Sequence, residues 1–571
     1  MSRLRPEVEA LARKHALVNA CRHGGKAETG AVIAKLMSEV PDLRSQARII
    51  HPEIVSLVQE INQLTLDEQT NLVKSSYGDL LGEKPSRGQR PLAALPDAEI
   101  GHVVTRFPPE PNGYPHIGHA KAAILDEEYA RHYEGRFILR FDDTNPANEL
   151  QEYYGAIQDG LEWLGIKPDL IKNTSDDLET IYYYAEQLIE KSGAYVCTCA
   201  VETIRANRAS GIECECRTEG PANTLKLWQR MSNEMKPNEA VLRLKGDMSG
   251  VNTAFRDPIL FRINHATHPL KGTKYTVWPT YDFAAPIEDS LDGVTHAMRT
   301  KEYELRDVVY YHVLDMLGIR KPLLLEFSRL ELKDTPISKR KLKPLIENGT
   351  ATGWDDPRLP TLTGLRRRGY HPQSIRAFVM SLGLTKTESR PTWDLLESLN
   401  RKVLDPIARR YFFVPNPVRV EIGAVPDKLV RIPFHPDQAM GYRAIPFSGA
   451  VYIPSRDAEA LRVGSVFRLI ELFNVEIRSV EDGHLSGSFV GNDLIQHIPK
   501  LQWVSEQHIE QTVAIPGPFF EDDKLSPKSW IEEVGFAEPA AGEVGIGELI
   551  QFVRCGFCRV DAPNLAIMTH K

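Results

Sequence analysis

Apolar positions recur at helical spacing in Glu7-Val-Glu-Ala-Leu-Ala-Arg13 and again in Ile54-Val-Ser-Leu-Val-Gln-Glu-Ile-Asn62. Between them, the Gly-bounded stretch from Gly24 to Met37 turns into a further helix. Residues 1–85 therefore predict a self-contained helical domain. Gly82-Glu-Lys-Pro-Ser-Arg-Gly-Gln-Arg-Pro91 has linker composition, and a linker is assigned to 86–99. From 100 to 330, apolar β-branched runs alternate with helical stretches, the α/β pattern of a parallel sheet. An insertion at about 195–275 interrupts it. Residues 331–405 read as helical and basic. From 406 to 571, short strands such as Val418-Arg-Val-Glu-Ile422 and Val466-Phe-Arg-Leu-Ile470 dominate, punctuated by Pro, Gly and Asn, and predict β-barrels.

Composition narrows the setting. The 571 residues are 42% hydrophobic and 26% charged, with no apolar run long enough to span a membrane. The N-terminus lacks the apolar core of a secretory signal, so the cytoplasm is the expected location. A net charge of −8 argues against a nucleic-acid partner only on average, because a local basic face is what meets phosphates. Lys339-Arg-Lys-Leu-Lys343 and Arg366-Arg-Arg368 are such runs, with a solvated face as the plainer reading.

One stretch carries chemistry. Apolar Ile100–Phe107 gives way to a loop broken by Pro108, Pro109, Pro111 and Gly113, and then to His116-Ile-Gly-His119 at the head of a helix that closes at Gly135. A second strand, Arg136–Phe141, follows, making a βαβ unit. Backbone N–H groups and the helix dipole at that end favour an anion, and histidines at i and i+3 can reach the same phosphate. Alternatively, the pair merely caps or packs.

The block Arg106-Phe-Pro-Pro-Glu-Pro-Asn-Gly-Tyr-Pro-His-Ile-Gly-His119 resembles the HIGH signature of class I aminoacyl-tRNA synthetases, in the glutamyl/glutaminyl form, with Pro115 where leucine is usual. Pro336-Ile-Ser-Lys-Arg340, about 220 residues on, resembles their KMSKS loop, with Pro336 in place of the first lysine. Gly353-Trp-Asp-Asp-Pro-Arg-Leu-Pro-Thr-Leu-Thr-Gly-Leu-Arg-Arg-Arg-Gly369 follows and strengthens the match. The resemblance implies a multidomain chain with a Rossmann-type catalytic domain, an insertion that embraces the tRNA acceptor end and an anticodon-binding β region. It implies His116, His119 and Lys339 as catalytic groups, and Pro108, Gly118, His119, Ser338 and Lys339 as ATP contacts. Mg²⁺ would shield the phosphates. The helical N-terminal domain resembles the extension of archaeal and eukaryotic enzymes, a tRNA contact or a structural appendix.

Arg140-Phe-Asp-Asp-Thr-Asn-Pro146 lies at the carboxyl edge of the second strand, where α/β sheets bind ligands. By resemblance Asp142 would hold an α-ammonium, with Glu110 and Tyr281 beside the substrate. Arg299 occupies the position where glutamyl enzymes carry arginine and glutaminyl enzymes a small uncharged residue. A guanidinium neutralises a second carboxylate with good geometry, whereas facing it with a neutral amide is costly. Arg106 is expected to supply a second guanidinium; the bland alternative pairs Arg299 with Glu302 or Glu304 on a surface helix.

Seven cysteines fit a reducing compartment. Cys197/Cys199 and Cys214/Cys216, with fourteen residues between the pairs, can gather four thiolates around one Zn²⁺, and some glutamyl enzymes carry zinc in this part of the fold. Cys555 and Cys558 read as packing. The resemblance thus implies joining of L-glutamate to tRNA(Glu) at the cost of ATP, in an archaeal or eukaryotic-type enzyme, monomer or dimer. Glutamine, a catalytically idle tRNA-binding paralogue, and additional loading of tRNA(Gln) stay open at this stage.

Overall fold

The computed structural model describes residues 6–22, 25–39, 47–77, 92–333, 335, 339–388, 390–423, 425–481, 484–521 and 524–571. The Gly82–Pro91 linker assignment and Pro336 and Ser338 of the KMSKS-like stretch lie outside them. Two compact units divide the chain, Met1–Gln89 and Arg90–Lys571.

In the first unit, α1 (Pro6–Arg22), α2 (Thr29–Glu39), α3 (Ala47–Asn62) and α4 (Leu66–Tyr77) close on Ala12, Ala16, Leu17, Leu36, Ile54, Ile61 and Val73. The alanines let the helices approach closely. Buried Gln69 on α4 places its amide nitrogen within hydrogen-bond distance of the carbonyls of Ile61, Leu64 and Gly25, tying α4 to the end of α3 and to the turn before α2.

The second unit begins with β1 (Val104–Phe107), α5 (Ile117–His132), β2 (Arg136–Phe141), α6 (Gln151–Trp163) and β3 (Leu170–Asn173), whose strands pair in parallel in the order β1-β2-β3. Gly135 is required at the α5–β2 turn, because a Cβ there would sit 1.9 Å from the Val103 carbonyl oxygen. After α7 (Leu178–Glu190) comes the insertion. It holds an antiparallel sheet of β4 (Ala194–Cys197), β5 (Val241–Leu244), β6 (Ile259–Ile263) and β7 (Val277–Pro279), with α8 (Val201–Ser210) and α9 (Pro221–Asn233) between its first two strands. The parallel layer then resumes through α10 (Tyr281–Leu291), β8 (His296–Thr300), α11 (Asp307–Leu317) and β9 (Leu323–Phe327), with β8 parallel to β9. Thr295 exchanges hydrogen bonds with Val104, bringing β8 up to the free edge of β1.

Four helices follow: α12 (Lys339–Glu347), α13 (Leu362–Arg368), α14 (Pro372–Leu382) and α15 (Trp393–Leu404). Both basic runs fall here, and they behave differently. Arg340, Lys341 and Lys343 are exposed, while Leu342 turns inward against Leu345, Leu359 and Phe519. In the second run only Arg366 is exposed. Arg367 forks onto Asp561 at 3.0 and 2.8 Å, and Arg368 donates to the Thr569 carbonyl. Two of these three arginines therefore anchor α13 to the β region instead of forming a solvated face.

That region is two seven-stranded, barrel-like sheets. Arg409–Tyr411 and Phe413–Pro415 enter one of them, the chain leaves to build the other from Pro417 to Ser505, and it returns from Ile509 to His570 to complete the first. Each has its own core, Trp503, Phe467 and Val475 in the inserted sheet, Phe413, Ile550 and Cys558 in the enclosing one. Cys558 packs in that core.

Beneath the cleft of the parallel layer lies a buried cluster of charge. Asp289 of α10 accepts both arms of Arg106 from β1 (2.8 and 3.1 Å), Nη1 of Arg140 from β2 (2.9 Å) and the hydroxyl of Tyr310 from α11 (2.9 Å). Lys172 of β3 adds contacts to Glu288 and Asp292. Burial alone would raise the Asp289 carboxyl, but the two guanidinium groups outweigh it and hold it below the usual carboxylate range. Asp289→Asn keeps the shape, leaves buried Arg106 without its carboxylate and takes one of three carboxylates from Arg140. It should destabilise the unit by about 3–5 kcal/mol, read as a lower midpoint in urea unfolding followed by tryptophan fluorescence.

Candidate active site

The α5 N-terminus is built by its own histidines. His116 is the N-cap: its Nδ1 accepts the Gly118 N–H at 3.0 Å, and Nδ1 of His119 accepts the His116 N–H at 3.1 Å. The rings lie 3.9 Å apart. Because each Nδ1 faces a backbone donor, each neutral ring must carry its proton on Nε2, where it remains a donor. Burial, mutual repulsion and the Arg329 charge hold His116 well below its ordinary value, and burial with Arg329 lowers His119 to about 4. Two neutral N–H donors thus stand at the positive end of a helix. Gly118 is glycine because a Cβ would meet the His116 ring at 2.8 Å. The segment is stitched from the other side: Ile117 donates to the Pro360 carbonyl (2.9 Å) and Leu362 to that of Pro115 (2.8 Å).

Two adjoining cavities open beside this terminus. One, of about 410 Å³, is lined by Arg106, Pro108, Glu110, Asp142, Tyr281 and Arg299, with His119 at its border. The other, of about 580 Å³, is lined by His116, Gly118, His119, Arg306 and Arg329. They share His119, Ala122, Thr300, Tyr303 and Phe327. Pro108, expected beside ATP, lines the first cavity and not the second.

The first cavity is polar at its walls. Asp142 accepts from Arg140 Nε (3.2 Å) and the Thr174 hydroxyl (3.1 Å), and burial raises its carboxyl against the pull of Arg140. Glu110 accepts from Asn145 at 3.1 Å. Tyr281 packs against Tyr303, ring centroids 4.6 Å apart. Its hydroxyl is pushed up by burial and pulled back by Arg299 and Arg106.

Arg299 lies on β8, buried, and not on a surface helix. Its Nη2 pairs with Asp307, Glu326 stands 3.7 Å away, and the guanidinium lies over the Tyr310 ring. Glu304, an alternative partner, binds Lys386 instead. Nε and Nη1 of Arg299 are buried and have no protein partner. Arg106 differs. Its guanidinium is bidentate to Asp289 and donates Nη1 to the Met298 carbonyl at 2.7 Å, so the expected second guanidinium is already neutralised within the protein.

On the side of the second cavity, Lys121 of α5 donates to the Ser328 carbonyl at 2.5 Å, and burial lowers its ammonium to about 8. It ties the catalytic helix to the start of the segment leading to Lys339. Lys339 opens α12; its side chain lies outside the described residues.

The four cysteines of the insertion come together. Their Sγ atoms all lie within 4.8 Å of one another, with Cys197–Cys214 and Cys199–Cys216 each at 3.8 Å. A tetrahedron with zinc–sulfur bonds of about 2.3 Å has edges of about 3.8 Å. Arg243 lies 3.8 Å from the Cys214 sulfur, a positive neighbour suited to thiolates.

Sequence reasoning missed several cavity residues. Asp126 continues the helix face of His119 and Ala122 at i+7, a readable signal, and its Oδ1 is buried without a partner. Tyr303 and Arg262 also line the first cavity, and nothing in local spacing marks them.

Comparison with known proteins agrees with this geometry. The pattern of tRNA synthetases class I (E and Q), catalytic domain, matches residues 102–406, and patterns of their anti-codon binding domains match 408–491 and 500–561. A glutamate–tRNA ligase of Nitrosopumilus maritimus is 46% identical over 99% of this chain and 100% of its own length. That of Cenarchaeum symbiosum is 45% identical over the same shares. The crystal structure of glutamate-tRNA synthetase from Elizabethkingia anophelis aligns at a TM-score of 0.41 and 22% identity, over 54% of this chain and 71% of that one. With its catalytic pattern and both anticodon-binding patterns in register along one chain, the protein belongs to the class I tRNA synthetases of the E and Q group.

Proposed function

We propose that the chain is a glutamate–tRNA ligase. In the first step an α-carboxylate oxygen of glutamate attacks the α-phosphorus of ATP, a new P–O bond forms, and pyrophosphate leaves. In the second, a terminal ribose hydroxyl of tRNA attacks the acyl carbon, its proton is lost, and AMP departs. The observation that carries the choice of glutamate is Arg299, whose buried Nε and Nη1 lack partners in the amino-acid cavity. A carboxylate brings the charge that compensates the guanidinium and an acceptor for an open N–H; a glutamine amide brings no charge and adds two donors.

The neutral Nε2–H groups of His116 and His119 donate to ATP phosphate without adding a buried charge, and the α5 terminus supplies the positive field. Lys339 would meet the leaving pyrophosphate, and Ser338 would help to hold it. Asp142 takes the α-ammonium. Mg²⁺ bound to the ATP phosphates would shield their charge. The insertion meets the acceptor end, and the two β sheets meet the anticodon of tRNA(Glu); contact of the helical unit with tRNA is the remaining assignment. A zinc ion held by Cys197, Cys199, Cys214 and Cys216 would be structural, closing the turn of the insertion with no open coordination site.

Charging assays decide the amino acid. Glutamate should be attached to tRNA(Glu), glutamine should not, and efficient glutamine attachment would refute the assignment. A tRNA(Gln) transcript in the same assay reads whether the second tRNA is a substrate. Arg299→Ala should cut kcat/KM for glutamate by about 100-fold or more while the KM for ATP stays within about twofold.

Nitrogen-15 NMR of labelled histidine should find both rings as Nε2–H tautomers at pH 7. His119 should protonate near pH 4. Its stability contribution is complete above the ordinary imidazole value of about 6.5 and is lost as pH falls from there through 4. A titration near 6.5 would remove the neutral-donor mechanism. Metal analysis should give about one zinc per chain, abolished by Cys214→Ser.

A further inference from the structure

The amino-acid cavity is bounded on one side by the loop after β2, which contributes Asp142, Thr144 and Asn145. That loop is held from outside the parallel layer, by the insertion. Arg262 of β6 donates from Nη2 to the Thr144 carbonyl at 3.1 Å. His268, in the turn between β6 and β7, places Nε2 3.1 Å from the carbonyl of Asp143. Two donors from one sheet therefore land on consecutive carbonyls of the substrate loop.

His268 is constructed for this reach. It is buried and stacks on Trp278, ring centroids 4.9 Å apart with planes at 15°. Its Nδ1 accepts the N–H groups of Leu270 and Lys271, both at 3.1 Å, which fixes the neutral ring's proton on Nε2 and makes that atom the donor. Glu149 Oε2 lies 3.3 Å from the same nitrogen, while Glu149 Oε1 accepts the Asn145 N–H at 2.6 Å. The imidazole thus touches the loop at both ends of its turn. The Asp143 carboxylate, whose Oδ2 stands 3.5 Å from the same Nε2, accepts from Ser175 and Tyr154 and fixes the loop to the parallel layer.

We propose that His268, assisted by Arg262, is a positioning residue that couples the insertion to the amino-acid site, so that engagement of the insertion by the tRNA acceptor end tightens glutamate binding. This rests on the ligase assignment above. A rigid link between the insertion sheet and two backbone carbonyls transmits a small shift of that sheet directly to Asp142. An unlinked loop would absorb it.

Two amide variants separate positioning from local folding. Asn at 268 keeps an acceptor near the Nδ1 position, so the turn still closes, but cannot reach Asp143. Gln reaches as far as Nε2 and can donate there. His268→Asn should raise the KM for glutamate about tenfold, with the KM values for ATP and tRNA and the melting temperature unchanged, and His268→Gln should recover to within about threefold of the parent. Tightening of glutamate binding by added tRNA, measured by equilibrium binding, should be present in the parent and lost in His268→Asn.

The proposal is overturned if the two variants share one glutamate KM. It is equally overturned if that KM is unchanged in His268→Asn, or if all three KM values and the melting temperature move together. Should His268→Asn not fold, Arg262→Lys, which keeps the charge and shortens the reach to Thr144, takes its place with the same readouts. A parent that fails to charge glutamate refutes the ligase assignment instead, and the coupling is then read on the KM of the amino acid it does charge.

Discussion

Two guanidinium groups on adjacent parallel strands share one buried carboxylate, and the site could not be assembled without it. Arg106 and Arg140 point from β1 and β2 into the same interior, where like charges at low dielectric repel strongly. Asp289 from α10 accepts from both and from Tyr310, so strand pairing, helix packing and charge balance meet at one side chain. A buried pair of this kind contributes little net stability against an apolar substitute. What it contributes is placement. Arg106 holds the Met298 carbonyl beside Arg299, and Arg140 holds Asp142, so two walls of the amino-acid cavity are fixed from one point.

Signals confined to one turn or one loop were legible in the sequence. The histidines of the α5 terminus and the glycine between them act through neighbours two or three residues away, and the cysteine pairs meet across 17 residues of one insertion; spacing raised both, and the resemblance of the 106–119 block decided the reading of the histidines. Capping, posed as an alternative to phosphate binding for His116 and His119, occupies only one nitrogen of each ring and does not exclude the proposed role. The Nδ1 atoms cap, which is why the Nε2 atoms are free to donate. Side chains whose partner lies far along the chain were not legible. Arg106 reads as a free cation in its own segment because Asp289 is 183 residues away. The same limit applies to Arg367 and Arg368, whose partners Asp561 and Thr569 belong to the β region. Tyr303 has no pattern to betray it, since it enters the cavity from a 3₁₀ segment of six residues, Lys301–Arg306, too short to show a periodicity.

The net charge of −8 hides a separation of roles among the basic residues. Arg140, Arg106 and Arg367 are matched by carboxylates inside the protein and serve as struts. Arg340, Lys341 and Arg366 are exposed and available to phosphates. Counting basic residues in a run cannot tell these classes apart, because desolvation by elements distant in sequence decides which arginine needs a counter-charge.

Arg299 stands between these classes, and the proposed preference for glutamate rests on that intermediate state. Asp307 engages one nitrogen and orients the fork, while Glu326 at 3.7 Å keeps the guanidinium from drifting. If both partners bound it fully, an incoming carboxylate would meet a neutral pair and gain little. If neither did, the empty cavity would hold an unpaired buried cation, which is prohibitively costly. Leaving Nε and Nη1 open makes the empty site tolerable and the glutamate-bound site better. A glutamine amide would bring no charge to compensate the guanidinium and would face it with two donors of its own. Rejection by unpaired buried donors discriminates more strongly than a difference in size could.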